Sequence, residues 1–315
     1  MSFKTLMKIA FSIAFLVYIS FKIDIKSLYS AYLEIEPGYY LLALCFMFLN
    51  CLIYAFKLKI ILNLSEIIHT FQNLVKINLL CRFYSTFLTA AIGQSFIRWH
   101  YTTKNNKGVI EFIAVILYER STFLFALLII SGPALFFSPY PHITDIALRA
   151  TPFILICLFS LLLFFIYLNY PPLFHSFSII LKRFKSAMEQ GIIEKVFRIL
   201  DTFSVYKDQR RVLFYSLLLA FIWQFLFLIR VYLLVVSINA PLDFLQVCWM
   251  ASLVLLIQVL PISLNGIGLR ETAYAFLFGL HGIPPEKGVL LGLLLLTQVL
   301  LMAAIGGVIH IISKD

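Results

Sequence analysis

The most constraining feature of this chain is a set of long apolar runs, each roughly 17 to 25 residues, separated by short charged stretches. That length lets a helix cross about 30 Å of hydrocarbon. The runs cover residues 5–21, 39–56, 74–97, 109–131, 146–168, 212–237, 244–264 and 287–312. With 62% hydrophobic and 13% charged residues, no soluble core of this size could hide the apolar surface. A membrane β-barrel would alternate polar and apolar residues over about ten positions, and the run from Leu217 to Leu228 does not alternate. The expected fold is an all-α, polytopic helical bundle with about six to eight membrane segments, forming one transmembrane domain over residues 1–315.

Aromatic residues collect at the run edges, as at Tyr39-Tyr40, Trp99-His100-Tyr101 and Tyr167 to Tyr170, in the manner of an interfacial belt. The five cysteines lie in or beside apolar runs without CxxC or His-rich spacing, so neither a disulfide framework nor a metal site is expected. There is no Walker motif for ATP hydrolysis, and no cofactor is expected. The net charge of +10 is a topology signal before it is a hint of a nucleic-acid partner, and none is expected.

The stretch 171–211 is the one sizeable polar segment. Its basic residues and the helical spacing of Ile192, Val196, Ile199, Leu200 and Phe203 describe an amphipathic surface element on the cytoplasmic side. Placing it there fixes the other ends by alternation. Residues 98–107 and 57–76 are then both cytoplasmic, so the run 74–97 must enter and leave on one side. By the same count the segment 244–281 begins and ends outside. Two re-entrant segments from opposite faces describe an inverted repeat around irregular backbone near the midplane; the alternative is an ordinary eight-span bundle. Both termini are expected in the cytoplasm, and the whole in a bacterial cytoplasmic membrane.

Charge inside these runs points to a site. The stretch V-L-P-I-S-L-N-G-I-G-L-R-E-T-A places Pro261, Asn265, Gly266 and Gly268 directly before Arg270 and Glu271. A helix broken there would offer free amides and a guanidinium to an anionic head group. A fainter echo, A-A-I-G-Q-S-F-I-R, ends on Arg98, and Glu119-Arg120 sit near the middle of another run. Each buried charge costs about 2.5 to 3.5 kcal/mol on insertion scales, so such residues either contact substrate on a pathway or staple helices together. Neighbours on a helix do not face each other. Glu119 is therefore expected to pair with Arg270 or Arg98, and Arg120 with Glu271. Arg82 and Arg230, each isolated on its run, are expected to snorkel or to pair locally.

The segment L-P-I-S-L-N-G-I-G-L-R-E, together with I-G-Q-S-F-I-R and Glu119-Arg120, resembles the signature elements of the lysylphosphatidylglycerol synthase transmembrane family, also described as flippase-like proteins. In such relatives the first motif reads P-x-x-x-G-G-D-x-x-R. Here Gly93-Gln94-Ser95 stand at G-G-D, so no carboxylate role is carried over. The resemblance implies movement or handling of polar lipids, with membrane lipids as ligands. On this reading Arg98, Glu119, Arg120, Asn265, Gly266, Gly268, Arg270 and Glu271 are the substrate-binding candidates. Two other readings stand beside a transporter without catalytic residues. One is an enzyme on lipid-linked substrate with Glu119 or Glu271 as base; the other is a membrane partner of a glycosyltransferase or other lipid-modifying enzyme.

Overall fold

The structure, a computed structural model, describes residues 24–64, 67–87, 90–103, 109–136, 209–259 and 266–312. The expected spans 5–21 and 146–168 and nearly all of the loop 171–211 lie outside the described residues, as does Asn265. The described residues form helices and no strand. In chain order these are α1 (Ile25–Leu33), α2 (Pro37–Leu64), α3 (Phe71–Phe87), α4 (Ala90–Thr102), α5 (Val109–Phe136), α6 (Arg210–Ser237), α7 (Phe244–Val259), α8 (Leu269–Leu280) and α9 (Pro285–Ile312). Within α2, α5, α6 and α9 lie segments long and apolar enough to cross a bilayer.

Local chemistry sets the helix starts. Pro37 and Pro285 open α2 and α9, where the missing N–H costs nothing and the fixed φ suits a helix. Asp24 caps α1 by accepting from the Lys26 amide at 3.1 Å and the Ser27 hydroxyl at 2.9 Å. This short helix falls between two apolar runs and carries no membrane-length signal.

The long helices α2 and α6 pack side by side and antiparallel. The Glu36 amide at the start of α2 donates to the Ser237 carbonyl at the end of α6 at 2.8 Å. At the opposite end Leu64, Ile67, Leu213 and Leu217 share one apolar cluster. The run 74–97 is split into α3 and α4, which pack against each other. Their far ends meet, because a His69 ring nitrogen is 2.9 Å from the Thr102 carbonyl. This pair is therefore a hairpin that returns to the side it left, and its mouth joins Leu64 and Leu213 through Phe71 and Tyr101.

Helices α7 and α8 form the second hairpin. Trp249 near its start stacks on His281 at its end, with ring centroids 5.7 Å apart. Its mouth lies at the other end of the α2–α6 pair, where Asn239 bonds the Glu34 carbonyl and Lys287 bonds the Asn239 carbonyl. The two hairpins thus open at opposite ends, which is the relation an inverted repeat requires.

Helix α9 buttresses both hairpins through small residues. A Cβ at Gly292 would meet Glu271 Cγ at 2.8 Å, and one at Gly288 would meet the Tyr274 carbonyl. Gly306 likewise sits against the Leu79 backbone of α3. Stripes of small residues let backbones approach where hydrocarbon offers no hydrophobic drive between helices.

Candidate functional site

A cavity of about 200 Å³ opens between α2, α3, α4, α5 and α6. Cys51 and Tyr54 reach it from α2, Asn78, Cys81 and Arg82 from α3, and Arg98 from α4, while α5 contributes Glu119, Arg120 and Phe123 and α6 contributes Trp223. Its lining carries three guanidinium groups against one carboxylate.

That carboxylate is already engaged. Lys57 on α2, buried to 3% exposure, lies 3.7 Å from Glu119 Oε1 and donates to the Glu119 carbonyl at 3.2 Å. The expected pairing of Glu119 with Arg98 or Arg270 is replaced by this one, although Arg98 is near enough for the two charges to interact. Lys57 closes an apolar run in the sequence and reads there as a loop-side charge. The helix instead continues to Leu64, which carries Lys57 into the protein.

Arg98 is 6% exposed, and its guanidinium donates to the Tyr54 hydroxyl and lies 4.9 Å from the centre of that ring. Its Nε makes no hydrogen bond, and neither side-chain polar atom of the buried Asn78 has a partner. Buried polar groups are nearly always satisfied, so Arg98 and Asn78, both at the cavity wall, retain unused hydrogen-bonding capacity. Arg120 is exposed at the cavity, does not reach Glu271, and has no ion pair among the described residues.

The other candidates assemble at the second hairpin and satisfy one another. Gly266 and Gly268 turn the chain with φ of 80° and 82°, values that L side chains resist. Glu271 then reaches back: its Oε2 accepts from the Gly268 amide at 2.7 Å, and its Oε1 accepts from Arg270 at 2.6 Å. Neighbours on a helix normally diverge, but here they meet because they stand in the first turn, where a carboxylate can fold back onto the open amides. The amide and guanidinium that the sequence offers to an anion are thus occupied by the chain's own Glu271.

Arg230, expected to snorkel, is 9% exposed, and its guanidinium lies 5.0 Å from the centre of the Phe227 ring. It stands seven residues, about two turns, inside the C-terminal end of α6, and that depth is the signal that could have placed it inside. The structure therefore draws Arg98, Glu119 and Arg120 together at the cavity and gathers Gly266, Gly268, Arg270 and Glu271 at the broken helix. Lys57, Tyr54, Asn78 and Arg82 join the first group without having been singled out as ligands.

No curated protein and no solved structure matches the chain. The family model described as lysylphosphatidylglycerol synthase TM region matches residues 5–306, and the chain belongs to that family of multi-pass membrane proteins.

Proposed function

We propose that this protein is a flippase-like lipid transporter that binds the head group of an anionic polar lipid in the cavity between α2, α3, α4, α5 and α6. The observation that carries the reading is the charge of the lining: Arg82, Arg98 and Arg120 face a single acid, Glu119, which Lys57 already holds. Guanidinium groups match phosphate oxygens with paired donors, and Arg98 and Asn78 have unused hydrogen-bonding capacity, its atoms buried at the cavity wall. The surrounding walls include Cys51, Phe123 and Trp223, which suit the glycerol and the first carbons of an acyl chain.

Family membership supports lipid handling, and the opposed hairpins fit a membrane protein that offers access from alternate sides. In this reading the end carrying Arg210 and Arg211 faces the cytoplasm of a bacterial cell, because basic residues are retained there. The test is mass spectrometry of lipids retained by the purified protein. An anionic phospholipid enriched over its share of the membrane, and lost in Arg98→Gln, supports the proposal; retention of neutral lipid alone refutes it.

A further inference from the structure

We propose that Arg230 is a second anion station, which takes the phosphodiester of an anionic glycerophospholipid as it leaves or enters the Arg98 cavity. The inference rests on the head-group reading above. A cation inside the hydrocarbon layer is held by a partner or serves a pathway. The other deeply buried basic groups have partners: Lys57 has Glu119, Arg270 has Glu271, and Arg98 has the Tyr54 hydroxyl. Arg230 has the face of Phe227, an unbonded Nε and no ion pair among the described residues.

Its surroundings deepen the contrast. Arg82 acts on Arg230 as a like charge and so does Arg270, the latter offset by its own Glu271, while the buried Tyr274 side chain acts in the favourable direction without supplying a full counter-charge. A residue retained to staple helices together would be placed beside an acid, yet the nearby acid Glu271 has both oxygens committed to Gly268 and Arg270.

The stripe is continuous with the cavity. Trp223, which lines the cavity, stacks on Phe227 with ring centroids 5.9 Å apart and an interplanar angle of 5°, and Phe227 carries Arg230. These three residues recur at four- and three-residue intervals, so they share one face of α6. Arg82 belongs to both groups, as a wall of the cavity and as a neighbour of Arg230. In the proposed passage a phosphate held by Arg98 and Arg82 at the cavity wall would next meet Arg230 beyond the Trp223–Phe227 stack.

The test uses the full chain reconstituted in phosphatidylcholine vesicles with tracer fluorescent phosphatidylglycerol, and reads its movement between leaflets by dithionite quenching. Arg230→Gln should fold and slow movement about ten- to a hundredfold, the loss expected for one charge-assisted contact. Arg230→Lys, which keeps the charge and loses the fork, should fall between the two. If the glutamine variant fails to fold, the lysine variant decides: a wild-type rate for it overturns the proposal. A folded Arg230→Gln with wild-type rate also overturns it. Excess inorganic phosphate should leave the rate unchanged, since the lipid delivers the head group; strong inhibition would make this a free-phosphate site and refute the lipid assignment. Failure of the underlying reading looks different, because the wild-type protein would then neither retain nor move phosphatidylglycerol. A slow Arg98→Gln beside an unaffected Arg230→Gln would remove the second station alone.

Discussion

The Lys57–Glu119 pair gives the sharpest energetic test of the cavity. Both side chains are about 95% or more removed from solvent, at 3% and 5% exposure, and their charges lie 3.7 Å apart. With an effective dielectric of about 20, their attraction is about 4.5 kcal/mol, and the bond from Lys57 to the Glu119 carbonyl adds to it. Lys57→Met strands the carboxylate and should destabilise the protein by about 3 to 5 kcal/mol. Glu119→Gln should cost less, since Lys57 keeps the carbonyl acceptor. The double variant removes one charge of each sign, and the cycle should return a coupling of about 2 to 3 kcal/mol. The assay is denaturant titration in bicelles, followed by tryptophan fluorescence and checked by circular dichroism. A coupling below about 0.5 kcal/mol would refute the pairing. Unchanged retention of anionic lipid in the double variant would separate this staple from the arginines that hold the ligand.

Other outcomes follow from the same geometry. Cysteines at Asn73 and Thr103 should label from one side of the membrane and cysteines at Asn239 and His281 from the other; labelling of Asn73 and Thr103 from opposite sides would sink the first hairpin. Gly292→Ala, whose methyl would meet Glu271 Cγ at 2.8 Å, should cost about 1 to 3 kcal/mol in the same denaturant titration. Glu271→Gln leaves the Arg270 guanidinium without a counter-charge and should lower stability by about 3 to 5 kcal/mol, read as a fall in the thermal midpoint.

The membrane class and the two hairpins were legible in the sequence because they rest on counting. Apolar length sets how many helices cross, and basic loops set which ends share a side. Residues 57–76 and 98–107 are expected on one side without any side-chain contact, and among the described residues His69 meets Thr102. What counting cannot reach is where a helix stops. The α2 run reads as ending near Phe56, yet helical geometry persists to Leu64, where Leu58, Ile61 and Leu62 pack against Leu74, Ile77 and Tyr118 in one cluster. That extension of about two turns converts Lys57 from a surface charge into the partner of Glu119.

The same limit explains why the partners of the buried charges were not legible. A sequence names ionisable residues in apolar runs but carries no rotation of one helix against another, and that rotation decides which charges meet. Backbone position also overrides the rule that neighbours diverge: Arg270 and Glu271 pair because Gly268, at φ 82°, starts a new helix just before them and leaves amides for the carboxylate to cover. Once Glu271 is spent on its own helix end, the broken motif neutralises itself. Among the described residues, Arg98 and Arg120 at the cavity and Arg230 along α6 have no ion pair of their own. On the proposed reading an anion is drawn toward those groups first, with the motif most visible in the sequence serving as a structural pivot and the quieter arginines as the path.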